Sequence, residues 1–237
     1  MIIIGNGRLI TRNAAEPYYE NGAVVTENEL IKETGTTAEM RLKYPDAEFV
    51  DAKGGVIMPA FINAHTHIYS ALARGLSIAG YNPTNFYEVL DGMWWKMDRS
   101  LTLEDTRRSA YTTIIDCIKT GCTTIFDHHA SFCQIEGSLF AIADAAKALG
   151  IRACLCYEVS ERDGEKKCDE SIEENRSFID YCERENDPML KAMFGGHALF
   201  TIGDKTFEKC VKANGGRTGF HIHVCEGMND VYDTAYN

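Results

Sequence analysis

Two histidines one residue apart, His65 and His67, close the apolar run "GVIMPAFINAHTH". In an extended strand residues i and i+2 point to the same face, so both imidazoles can reach one point beyond the strand end. Neutral imidazoles so placed make adjacent ligands for a divalent metal. Taken alone, the pair reads equally well as two hydrogen-bonded histidines at a strand end. The remaining histidines repeat the placement. "TTIFDHH" ends in Asp127, His128 and His129, "FGGHALF" carries His197, and "GFHIHVCEG" carries His221, His223 and Glu226. All 7 histidines lie at or just after the carboxyl end of an expected strand. Histidines scattered over a surface would not gather so. Metal-assisted chemistry at one end of a sheet is the leading reading.

Those strands need elements to hold them. From residue 56 short apolar, β-prone runs alternate with longer segments of helical periodicity. "VIMPAFINA" is followed by the helix "LEDTRRSAYTTIIDCIKTG", "CTTIFD" by "IEGSLFAIADAAKALG", and "IRACLCYEV" by "DESIEENRSFIDYCERE". "LKAMFGGHALF" leads to "DKTFEKCVKANGG" and then to "TGFHIHVCEG". Such alternation predicts βα units on a parallel sheet. Both a doubly wound sheet and an eight-fold barrel are compatible with it, although no glycine-rich dinucleotide fingerprint follows the first strand. In a barrel, the carboxyl ends of the strands carry the chemistry. Residues 1–55 differ, with short alternating runs punctuated by Gly, Asn and Asp, and read as a small β domain. The expected fold class is therefore α/β, with about five βα units over 56–237 after a small N-terminal β domain over 1–55.

Composition narrows the function. The formal net charge of -11, from 35 acids and 24 bases, comes with no basic run, which argues against nucleic acid or an anionic membrane as partner. A small-molecule substrate is expected. No apolar stretch has the length of a spanning helix, and "MIIIGNGRLIT" lacks the features of a secretory signal. The 9 cysteines, several inside apolar segments, read as free thiols in a reducing compartment, so the expected localisation is cytoplasmic.

"DAKGGVIMPAFINAHTHIYSALARGL", "MWWKMDRSLTLED", "GCTTIFDHHAS" and "FHIHVCEG" together resemble the amidohydrolase superfamily. They are most similar to its cytosine- and guanine-deaminase-like branch and the aminohydrolases associated with selenium metabolism. The resemblance runs along essentially the whole chain and implies that 56–237 form an incomplete TIM-like (β/α)8 barrel of about five βα units and 1–55 an incomplete composite β-sandwich. It implies that His65, His67 and His223 bind one divalent metal, zinc by preference and Fe2+ as the alternative. It makes Glu226 the catalytic proton shuttle and gives His197 and Asp98 substrate contacts. His221 is expected to be a structural neighbour of His223, while for His128 and His129 pocket-lining and structural roles stand level. No lysine falls at the carboxyl end of the fourth strand to bridge two metals, because Lys191 opens that strand. One metal is expected, with a homodimer possible for the full-length protein.

An eight-stranded barrel takes about 250 residues, and only about 180 follow residue 55. The resemblance also implies a strand-six histidine and a strand-eight aspartate that have no counterpart here. The expectation is an N-terminal portion with little activity alone. The leading function is deamination of a nitrogen heterocycle. The alternatives are hydrolysis of an amide or cyclic ureide by the same site, and a non-catalytic remnant.

Overall fold

Alternation in "IIIGNGRLI" puts Ile3 and Leu9 on the buried face of a first strand, β1 (Ile2–Ile10). The computed structural model describes residues 1–236 and divides into two compact units, Met1–Ala60 and Phe61–Asn237. In the first, β1 is the middle of a single sheet. β2 (Tyr18–Glu27) pairs with it antiparallel, and β3 (Leu30–Thr36) lies outside β2. A short helix, α1 (Thr37–Lys43), follows, and β4 (Glu48–Asp51) and β5 (Val56–Ile57) pair with β1 in parallel. The unit is thus one sheet plus a helix, not strands alone. The helix starts at a capping box, in which the Thr36 side chain and the Glu39 side chain satisfy each other's backbone N–H. Ile3, Ala23, Val25 and Met40 form its core.

The second unit carries the βα alternation. Its strands are β6 (Phe61–Thr66), β7 (Cys122–His129), β8 (Arg152–Tyr157) and β9 (Leu190–Ala192), then β10 (Phe194–Ala198) and β11 (Phe220–His223). An interruption at Met193 splits what the sequence presents as one fourth strand. Pairing is parallel throughout and follows chain order, β6-β7-β8-β9 and then β10-β11. A single bridge between Val159 and Gly196 joins the two groups. A doubly wound sheet reverses its order at a switch point; this one does not, so the order is that of a barrel wall. All the carboxyl ends therefore lie at the same end.

Helices fill the crossovers. The first crossover contains α2 (Phe86–Val89), a π turn over Leu90–Trp94, α3 (Trp95–Asp98) and then α4 (Leu103–Lys119). The later ones contain α5 (Ser138–Leu149), α6 (Glu165–Glu185) and α7 (Asp204–Asn214), and α8 (Met228–Tyr236) follows β11. α4 begins at a capping box of Thr102 with Asp105, and α5 ends at Gly150, whose φ of 72° suits glycine. Ile114, Ile125, Leu139, Leu155 and Phe178 form the core between strands and helices. All 9 cysteines are free. Among the described residues no helix is long and apolar enough to cross a membrane.

Candidate metal centre

β6 delivers His65 within its last turn of pleat and His67 immediately after it, while His223 is the last residue of β11. The three rings form a near-equilateral group, with centroids 4.9 Å apart for His65 and His67 and 5.1 Å from each to His223. One ligand atom from each lies within 4.8 Å of the others. Among the described residues these three form the group with that geometry.

The hydrogen bonds decide which nitrogens face the centre. His67 Nδ1 lies 2.8 Å from the His128 carbonyl, and His223 Nδ1 lies 2.7 Å from the His197 carbonyl. A carbonyl can only accept, so each Nδ1 carries the proton and each Nε2 presents a lone pair. His65 Nδ1 is 2.8 Å from His221 Nε2, which leaves His65 Nε2 facing His223 Nε2 at 3.4 Å. With the His65 proton on Nδ1 toward His221, both Nε2 atoms turn lone pairs to the centre, an arrangement that a cation between them relieves. Burial pushes His67 down to about 4 and lowers His65 as well, so both are neutral and ready to ligate at neutral pH. The donor set and its orientation fit a divalent metal. Outer hydrogen bonds of this kind are what orient metal-binding imidazoles.

A cavity of about 350 Å3 opens over the triad, lined also by Glu226, Glu158, His197, Tyr69 and Trp94. Glu226 sits on the turn after β11, where Cys225 has a φ of 60° and the Glu226 N–H donates to Asp230 Oδ2 at 3.1 Å. Burial above all pushes the Glu226 carboxyl up, against the opposing pull of His223. His197, 4% exposed, lines the same cavity, with Nδ1 2.9 Å from Thr201 Oγ1.

One residue lies otherwise than the sequence reading expected, and two take one side of an open alternative. Asp98, expected to touch substrate, does not line the cavity. It is 1% exposed and holds the Arg162 guanidinium at 2.5 Å, because α3 turns it inward toward that charge. His128 and His129 are fully buried and do not line the cavity. His128 Nε2 donates to the Gly196 carbonyl at 2.8 Å, tying β7 to β10, and His129 Nε2 lies 3.0 Å from Ser131 Oγ. His221 supports His65 as described, a neighbour to the triad. The sequence reading missed Glu158, which follows β8 directly and reaches the cavity floor. Its signal was present: a carboxylate immediately after a strand, at the end where the histidines gather.

Residues 56–235 match the amidohydrolase family, and residues 22–47 match the imidazolonepropionase-like composite domain of bacteria. The 5'-deoxyadenosine deaminase of Methanobrevibacter smithii is 31% identical over 217 residues, covering 90% of this chain and 46% of that protein. The 5-methylthioadenosine/S-adenosylhomocysteine deaminase of Syntrophomonas wolfei is 29% identical over 229 residues, covering 95% and 49%. The chain spans about half the length of these curated relatives. In fold it is similar to an adenosine deaminase of Xanthomonas campestris solved with bound zinc, with a TM-score of 0.78 at 20% identity over 99% of this chain and 51% of that one.

Proposed function

This chain belongs to the amidohydrolase family, and from that premise we propose that its site serves a metal-dependent aminohydrolase releasing ammonia from a nitrogen heterocycle. The observation that carries the reading is the convergence of three imidazoles, two of them with Nε2 freed of its proton by an Nδ1–carbonyl bond, beneath a cavity that also holds Glu226. His65, His67 and His223 hold the metal, zinc in the leading version. When bound, such a cation supplies Lewis-acid activation of water, lowering its pKa toward about 7.

The chain's own groups handle the protons. Glu226 takes the proton from the attacking water and passes it to a ring nitrogen, which makes the amine-bearing carbon electrophilic. It then takes the second proton, from the new hydroxyl, and gives it to the amine, which leaves as ammonia while the carbon becomes a carbonyl; a raised proton affinity suits both transfers. Tyr69 and Trp94 close the walls, and a planar heterocycle fits against such aromatic sides. Relatives that deaminate adenosine-type nucleosides direct the substrate search to aminopurines first.

The test is metal content of the purified protein together with ammonia release across aminopurines, aminopyrimidines and aminotriazines. Bound zinc with ammonia from at least one class is the expected result. A protein that takes up no metal and releases no ammonia sinks the reading. The second reading is opening of a cyclic amide or ureide, which the same three histidines and cavity would serve. A ring-opened product without ammonia would select it.

A further inference from the structure

Glu158 sits where β8 ends, 2% exposed yet on the cavity floor, and its surroundings are built to hold it still. Arg162, one helical turn's distance along the chain, donates from Nη2 to Glu158 Oε1 at 3.0 Å and to Asp98 Oδ2 at 2.5 Å. The guanidinium is packed against aromatic rings, 4.0 Å from the Phe132 centroid and 5.2 Å from that of Trp95. Arg162 Nη1 also reaches Asp163 Oδ2 at 3.2 Å, but Asp163 is shared with Arg99 at 2.6 Å. Within the buried part, two carboxylates thus share one cation.

The surplus negative charge falls on the cavity side. Burial pushes Asp98 up to about 7. Burial would raise Glu158 too, but His197 and Arg162 outweigh it and hold its carboxyl below the ordinary glutamate value. Glu158 Oε1 is 4.0 Å from His197 Nε2, and Oε2 is 3.9 Å from His128 Nδ1, both beyond hydrogen-bonding distance. A desolvated carboxylate with acceptor capacity facing a ligand cavity is costly unless the ligand brings a donor.

We propose that Glu158 is a specificity-determining residue that accepts hydrogen bonds from N–H groups on the edge of the heterocycle, so that the site takes donor-rich, amino-substituted rings. Arg162 and Asp98 are positioning residues that keep the carboxylate in place. The inference rests on the aminohydrolase reading and names its substrate class. It assigns no proton transfer to Glu158; that remains with Glu226.

Binding separates this claim from catalysis. The probes are 2,4-diaminopyrimidine and 2,4-dimethylpyrimidine, alike in size but with exocyclic N–H donors on the first alone. Zinc-loaded Glu226→Gln protein keeps the probe unreacted, and titration calorimetry reads the affinity. The diamino probe is expected to bind at least about tenfold more tightly, and adding Glu158→Gln should remove most of that preference, as loss of a charged hydrogen-bond acceptor does. The Gln side chain preserves shape and still accepts from Arg162. Should the double variant fail to load zinc, Glu158→Asp, which keeps the charge and withdraws it, is expected to weaken the preference in part. An undiminished preference in either variant overturns the assignment, as does the absence of any preference with Glu158 intact. Ammonia release by the unaltered enzyme is measured separately, so failure here leaves the aminohydrolase reading standing.

Discussion

His223 closes β11 and Glu226 lies three residues on, in the turn that follows, and the two side chains should fail differently when altered. Glu226→Gln leaves His65, His67 and His223 in place, so metal content is expected to stay at the wild-type level. Its amide cannot carry the proton, and turnover should fall by about 10²–10⁴-fold. His223→Ala removes one of the converging Nε2 atoms and should lose metal and turnover together. Metal analysis and ammonia assay on both variants decide it; a Gln variant retaining more than about a tenth of the rate would remove Glu226 from the mechanism. The histidines were legible in the sequence because i, i+2 spacing and placement after apolar runs are local properties of a strand. Glu158 was legible only as an acid just after an expected strand, since a lone acid after "LCY" has no spacing partner to mark it as part of the site. Its meaning comes from Arg162, Phe132 and Trp95, which only the fold brings to it. Asp98 shows the opposite error. Its position in a recognisable motif said nothing of whether α3 would turn it toward the cavity or toward Arg162.

Between elements, the weak place is the seam where β8 meets β10. One bridge joins the strands there, and Asn175 of α6 supplies what the ladder lacks. Its Oδ1 accepts from the backbone of Tyr157 at 2.9 Å and of Gly195 at 3.1 Å, while Nδ2 donates to the Tyr157 carbonyl at 2.8 Å. Asn175→Ala would leave these buried groups unpaired, costing about 2–5 kcal/mol, read as a lower midpoint in thermal unfolding. Gly195→Ala should be worse, because a Cβ there would lie 2.2 Å from the Tyr157 carbonyl oxygen and force the strands apart. If both variants melted with the wild type, the seam would not be the structural joint it looks to be. The strands and helices themselves were readable from periodicity and from Gly and Thr punctuation. The break at Met193 and the π turn over Leu90–Trp94 were not, since both answer to packing against neighbours distant in sequence.

At the scale of the molecule, the metal ligands tie together strands far apart along the chain. His65 and His223 are separated by 158 positions, and β6 and β11 each have a hydrogen-bonded neighbour on one side only among the described residues. Phe61 and Ile62 of β6 are 55% and 61% exposed, so the sheet ends where water reaches it. Chain order, which alternation alone left open between a barrel and a doubly wound sheet, is what brings these two strands round toward each other. A cation that binds the folded site and not the unfolded chain stabilises by RT ln(1 + [L]/Kd), about 2.7 kcal/mol at a hundredfold excess over Kd. Zinc should therefore raise the unfolding midpoint and a chelator reverse it. Hydrogen exchange should slow at β6 and β11, while the sheet of Met1–Ala60, which supplies no ligand, stays unchanged. The formal charge of -11 means that zinc can also collect on acidic surfaces, which would stabilise without regard to the triad. His67→Ala separates the two cases: it removes a ligand while leaving the surface charge as it was. A zinc-induced shift that survives in His67→Ala, or protection spread evenly over both units, would count against the triad as the binding site. A shift confined to the intact triad, with protection at β6 and β11, is the expected outcome.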